Sequence, residues 1–255
     1  MSNKTKVNAL GYLLKTWATA IPRVFYLSTV GLLFDPKGSQ RLIHQVLNAQ
    51  DIVSNDPVLA SVEITELLGM HRVNVQIEGP YYIKTGSETR LLTEIASLAY
   101  IMRVLKPKLI FEIGTYVGST TRLLALNTPP TSQILTLDLP QHLVKHKIGK
   151  EFHGTPEKER ITQLHGNSKT FDFGPWYNKC DFVWVDACHA YEHVVSDSQN
   201  ALNLCRIGGW IAWHDYRHTA WWSGVTRCVR GIHKSQPKLV HLQGTTIAVL
   251  PGKDV

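Results

Sequence analysis

The segment Leu109–Leu124, LIFEIGTYVGSTTRLL, decides how the chain is read. Leu109, Ile110, Phe111 and Ile113 form a short apolar run suited to a central parallel strand buried on both faces. Glu112 interrupts that run just before a turn bracketed by Gly114 and Gly118. Ser119-Thr120-Thr121 then stands where a helix begins. Backbone N–H groups without intrahelical partners at such a start form a ready anion site. The acid ahead of the first glycine and the hydroxyls after the second set this turn apart from a plain strand–helix connection.

Working outward, the same alternation repeats. Gln133–Leu137 reads as a second strand ending in Asp138, and Ile161–His165 as a third, followed by Gly166-Asn167-Ser168. Asp181–Val185 is a fourth, ending in Asp186. A helix over Tyr191–Leu204, a Gly208-Gly209 turn and a fifth strand, Trp210–Trp213, lead to His214-Asp215. Strands alternating with helices at this spacing predict a doubly wound, mostly parallel α/β sheet. Lys238–Leu242 and Thr245–Leu250, around Gln243-Gly244, read as a closing antiparallel pair. Ahead of the first strand, Thr85 and Glu88 have the form of a capping box. The helix that follows presents Leu91, Ile95, Leu98, Met102 and Leu105 on one face, and Pro107 stops it.

Residues 1–85 differ from the rest and read as a helical N-terminal region, with the α/β domain over 86–255. Leu10, Leu13, Leu14, Trp17, Ala18 and Ile21 recur at helical spacing, and Pro22 ends or kinks that helix. Val24–Phe34 is an apolar run of 11 residues, well short of the roughly 20 needed to span a bilayer. Packing on the main domain or across a dimer competes with peripheral membrane contact for this arm, and sparse Lys and Arg favour packing. Further helices are expected over Ser39–Ala49 and Asp56–Leu68, and a small strand over His71–Ile77.

Composition limits the function classes. An apolar fraction of 44% is that of a chain with a proper core. The net charge of +7 comes from scattered Lys and Arg rather than runs, so it is a weak pointer to nucleic acid. The four cysteines, Cys180, Cys188, Cys205 and Cys228, make no C-x-x-C pair and no zinc spacing. A reducing compartment, and hence a cytoplasmic location, fits that usage.

Ligands of doubly wound sheets bind at the C-terminal strand ends, where every polar cluster above falls. Asp138 lies 24 residues after Gly114, where an acid accepts hydrogen bonds from ribose hydroxyls. That suits a dinucleotide and S-adenosylmethionine alike, but Tyr116 occupies the position where a dinucleotide site wants glycine beside the pyrophosphate. S-adenosylmethionine tolerates the bulkier turn. Its carboxylate would meet the helix start at Ser119 and Thr120, Glu112 would orient its ammonium, and Asn167-Ser168 would reach its adenine edge.

FEIGTYVGSTT resembles the first motif of class I S-adenosylmethionine-dependent methyltransferases, in the form found in catechol-type O-methyltransferases. FVWVDACHAYEHVVSDSQNALNLCRIGGWIAWHDY is similar to the branch of macrolide-sugar O-methyltransferases and proteins labelled cephalosporin hydroxylases. The resemblance spans about Gly86–Pro251 and implies a seven-stranded Rossmann-like sheet with an antiparallel C-terminal strand. It implies an O-methyltransferase acting on a hydroxyl of a sugar, glycolipid precursor or secondary metabolite. Asp186 and Asp215 suit a hard divalent cation such as Mg²⁺. The resemblance puts the general base at His189, three residues past Asp186. His214 departs from it, because an oxygen ligand is usual there and imidazole prefers transition metals. Either the implied metal set is Asp186, His214 and Asp215 with a different ion, or His214 points away and supports the site, or no metal binds.

His193 and Asp197 read as a solvated helix face, Tyr191 as a packing residue, and Trp213 with Trp221-Trp222 as core or as a wall for a ring-shaped acceptor. A metal-dependent hydrolase or hydroxylase on this fold is the alternative, and a nucleic-acid methyltransferase is disfavoured. An apolar arm also makes a homo-oligomer the expected assembly.

Overall fold

The computed structural model describes residues 58–79, 88–217 and 223–253, together with positions 26, 34 and 35. The chain divides into two compact units, Met1–Gln50 and Asp51–Val255; all that follows concerns the second. The expectations for the first helix, the apolar run, Ser39–Ala49, the Thr85 cap and Trp221-Trp222 lie outside the described residues.

In chain order the elements are β1 (Ser61–Val62), α1 (Ile64–Leu68), α2 (Glu88–Leu105), β2 (Leu109–Ile113), α3 (Ser119–Leu126), β3 (Gln133–Asp138) and β4 (Ile161–His165). They continue with β5 (Cys180–Val185), α4 (Tyr191–Leu204), β6 (Cys205–Trp213), α5 (Ser223–His233), β7 (Val240–Leu242) and β8 (Ala248–Leu250). One sheet runs β1-β7-β8-β6-β5-β2-β3-β4. Every pairing is parallel except those of β8, which is antiparallel to both β6 and β7.

The continuous apolar strands follow from burial on both faces. Phe111, Ile113, Val183 and Val185 face a core shared with Val194, Ala201 and Val229 of α4 and α5. Ile110, Ile134, Phe182 and Trp184 face the opposite core with Leu98, Met102, Leu123 and Leu124 of α2 and α3. At the N-terminal ends of the strands, Asp181 accepts hydrogen bonds from Lys108 N, Leu109 N and Arg206 Nε, tying β5 to β2 and β6.

The sheet has one strand more than the seven the resemblance implies, because Ser61–Val62 pairs with His241–Leu242 along β7. That pairing also shortens the helix expected over 56–68, which within the described residues is confined to Ile64–Leu68. Residues 71–77 form no strand. Asn127 satisfies the backbone there instead, accepting from Gln76 N (2.8 Å) and donating to Gln76 O (2.7 Å). Gly208-Gly209, expected as a turn, lies inside β6, which starts directly after α4 and shifts register between Cys180 and Phe182. A Cβ on Gly209 would stand 2.7 Å from Cys205 Sγ, so this irregular stretch of strand needs glycine. Among the described residues no helix is long and apolar enough to cross a membrane.

Candidate functional site

Register builds the site. Ile113 of β2 pairs with Leu137 of β3 and Val185 of β5, and Val185 pairs with Trp213 of β6. One residue further on, Asp138, Gly114, Asp186 and His214 therefore form a row along the C-terminal edge. Backbone bonds extend the ladder through that row: Gly114 N to Leu137 O (2.9 Å), Asp186 N to Ile113 O (2.9 Å) and His214 N to Val185 O (3.1 Å).

The glycine turn occupies the middle of this row. A Cβ on Gly114 (φ 108°) would stand 2.1 Å from the Asp186 carbonyl oxygen, so only glycine lets β2 turn against β5. Gly118 (φ 86°) precedes the first turn of α3, where Ser119 and Thr120 sit half-buried. Tyr116 adopts φ 49°, is 61% exposed and packs its ring 4.4 Å from that of His146. Asp138 Oδ2 accepts from Tyr116 N (2.6 Å) and Oδ1 from Leu139 N (2.7 Å), which locks this carboxylate beside the turn.

Glu112 is fully buried beneath the turn. Its Oε2 accepts from the hydroxyls of Thr121 and Thr136, each at 2.5 Å, while Oε1 has no hydrogen-bond partner. Burial pushes its pKa from 4.5 up to about 8, with the two threonine bonds partly opposing and the Asp186 and Asp138 charges adding to the rise.

At the β5–β6 end of the row the carboxylates meet two imidazoles. His189 Nε2 donates to Asp215 Oδ2 (2.8 Å), and His214 Nδ1 lies 3.3 Å from Asp186 Oδ1 and 3.5 Å from Asp215 Oδ2. Burial would raise the Asp215 pKa, but the bonds from His189 and His214 outweigh it and hold this carboxyl far below the usual range. Burial would likewise lower His214. The Asp186 charge and hydrogen bond, joined by Asp215, instead raise its pKa well above that of an ordinary histidine. Asp215 and Arg217 both have positive φ (57° and 64°), so this turn holds the acid in an unusual backbone conformation.

The atoms able to share a metal are those of Asp186, His189 and Asp215, which all lie within 4.8 Å of one another. The implied set had His214 in place of His189. Both His214 ring nitrogens already face carboxylates, Nδ1 as above and Nε2 toward Glu94 Oε2 at 3.3 Å. Glu94, from α2, is the residue that sequence reasoning missed. The available signal was an acid on the same helical stripe as Leu98, Ile101 and Leu105, all on the inward side.

Away from this cluster, Asp197 is 1% exposed rather than solvated. Burial raises its pKa, against a hydrogen bond from Ser168. Asn200 Nδ2 also donates to Ser168 O (3.2 Å), so α4 grips the loop after β4 at two points one turn apart. Asn167 caps that same loop by accepting from Lys169 N (3.0 Å). Trp213 is a core residue whose indole donates to Ser198 Oγ (2.9 Å), not an acceptor wall. Tyr191 packs as expected, with the Arg227 guanidinium 4.0 Å from its ring centroid.

Residues 111–216 match the sequence family described as a methyltransferase domain. The chain is 26% identical over 206 residues to caffeoyl-CoA O-methyltransferase 1 of Arabidopsis thaliana, covering 73% of each chain. A solved chain from Klebsiella pneumoniae assigned as an O-methyltransferase is similar in fold (TM-score 0.52, 19% identity), over 84% of this chain and 100% of that one. An SAH-bound methyltransferase of Podospora anserina is also similar in fold (TM-score 0.51, 19% identity), over 63% of this chain and 78% of its own.

Proposed function

We propose that this chain, a class I S-adenosylmethionine-dependent O-methyltransferase, methylates a hydroxyl of a sugar, glycolipid precursor or secondary metabolite, with His189 as general base. The observation that carries this reading is the 2.8 Å bond from His189 Nε2 to Asp215. A carboxylate that stays ionised holds the ring in one tautomer, with its lone pair on Nδ1. The same orientation of imidazole by an acid serves in other base-catalysed sites.

S-adenosylmethionine supplies the electrophilic methyl group; the remaining work belongs to side chains and backbone. Asp138 presents its carboxylate to the ribose hydroxyls, and the N–H groups opening α3 near Ser119 and Thr120 meet the amino-acid carboxylate. The orphaned Oε1 of Glu112 suits the ammonium, directly or through water. Gly114 lets the turn close against Asp186 and Gly118 lets it close against Phe152, which fixes the turn that faces the cofactor. Asn167 and Ser168, the latter held by Asn200 and Asp197 of α4, border the adenine. His189 removes the proton from the acceptor hydroxyl as the oxygen attacks in line.

Isothermal titration calorimetry with S-adenosylmethionine tests the cofactor half of the reading. The wild type is expected to bind, and Asp138→Ala to bind about 10–100-fold more weakly, the loss of a hydrogen-bonded charge. Equal affinity in the two proteins would refute the assignment of Asp138.

A second reading has one observation in its favour. Asp186, His189 and Asp215 offer two carboxylates and an imidazole within 4.8 Å, a set suited to Mn²⁺ or another transition ion better than to Mg²⁺. Such an ion would polarise the acceptor oxygen, with His189 as a ligand instead of a base. Transfer to a panel of sugar and phenol acceptors, before and after dialysis against EDTA, separates the two. An unchanged rate supports the base; loss of activity restored by Mn²⁺ supports the metal. Residues 1–85 are proposed to select the acceptor or to join subunits.

A further inference from the structure

We propose that Glu94 is a positioning residue for methyl transfer, acting through His214 on Asp215 and so on the His189 ring. This rests on the reading of His189 as base. Four side chains alternate acid and imidazole across the strand ends. Glu94 Oε2 faces His214 Nε2 (3.3 Å), and His214 Nδ1 faces Asp215 Oδ2 (3.5 Å) and Asp186 Oδ1 (3.3 Å). Asp215 Oδ2 in turn accepts from His189 Nε2 (2.8 Å).

Glu94 is held as firmly as it holds. Its Oε1 accepts from both Thr246 N and Thr246 Oγ1, each at 2.6 Å. Thr246 also accepts, through its carbonyl, from Tyr216 N (2.8 Å), the residue after Asp215. Glu94 therefore braces the His214–Arg217 turn twice, once through the imidazole and once through the Thr246 backbone. A turn with positive φ at Asp215 and Arg217 needs such bracing to stay in one conformation. A helix-to-loop tie alone would not need a carboxylate, because an amide oxygen could accept both Thr246 bonds. The second carboxylate oxygen is what His214 requires: with Nδ1 turned to two acids, Nε2–H needs an acceptor on the far side.

Glu94→Gln separates these roles, since its amide oxygen keeps the Thr246 bonds while its NH₂ confronts the His214 N–H. The probe is ¹⁵N-histidine-labelled protein, whose long-range ¹H–¹⁵N spectra report which ring nitrogens carry protons. In the wild type His189 is expected as a single tautomer protonated on Nε2. In Glu94→Gln it should become a mixture, with S-adenosylmethionine affinity unchanged by calorimetry. On the acceptor found by the panel above, kcat should fall about tenfold with little change in KM, the usual scale for loss of an outer partner. Thr246→Val keeps the backbone bond and should move the same signals less. His189 signals identical to wild type in both folded variants would overturn the proposal. If instead the tautomer shifts but His189→Ala retains full methyl transfer, the coupling stands and the base reading falls.

Discussion

His189→Ala is expected to lower kcat about 10²–10⁴-fold, the usual contribution of a positioned general base. Its affinity for S-adenosylmethionine should stay near that of the wild type. The two effects separate because, on the proposed reading, the cofactor is held by Asp138, Gly114 and the α3 start, while His189 bonds Asp215 at the β5–β6 end of the row. Asp215→Asn should fall comparably far. An amide in that place could donate to the ring as well as accept from it, which leaves the wrong nitrogen facing the acceptor. Single-turnover transfer with saturating cofactor measures the chemical step directly. A His189→Ala rate within a factor of about three of wild type would remove the base from the mechanism.

What the sequence made legible is what local pattern encodes. The strands at 109–113, 133–138 and 161–165 and the helix at 191–204 are announced by apolar runs and glycine punctuation. Their C-terminal residues had to fall on one edge because parallel register puts them there. Asp138, Asp186 and Asp215 were therefore findable from spacing alone. What stayed hidden depends on contacts between distant parts of the chain. The strand at Ser61–Val62 is two residues long and exists only because β7 offers an open edge 180 residues away, where Ser61 Oγ also meets His241 Nδ1. Asp197 looks like a helix-surface acid until Ser168 is brought over it. Glu94 lies among the buried positions of α2, but its partner Thr246 lies 152 residues away. Polar groups paired across the fold leave no periodic trace. For the same reason the way His214 faces Asp186, Asp215 and Glu94 while His189 bonds Asp215 was beyond spacing arguments.

Glu112→Gln is expected to make the protein more stable at alkaline pH while weakening its hold on the cofactor. The buried carboxyl has its pKa raised from 4.5 to about 8, chiefly by burial. A raised pKa means that the folded state takes up a proton between those values. Its contribution is fully present below about pH 4.5 and lost as pH rises toward 8, where a charge must be kept in the core. At 1.36 kcal/mol per pKa unit that loss is on the order of 5 kcal/mol. Glutamine keeps the acceptor for Thr121 and Thr136 and carries no charge at any of these pH values. Urea midpoints for both proteins from pH 5 to pH 9 should therefore converge at the acid end and diverge at the alkaline end, with the variant higher. Parallel curves would show that Glu112 does not titrate in this window. On the proposed reading, the cofactor's ammonium is the reason for keeping an acid there. An ammonium placed against Oε1 takes over the role of the bound proton, so binding at pH 7 should release protons, detected by calorimetry in buffers of different ionisation enthalpy. Glu112→Gln should show no such release and a weaker affinity. A carboxylate that costs the fold stability and, as proposed, gains its partner when the methyl donor binds would be the stability–function exchange expected at a binding site.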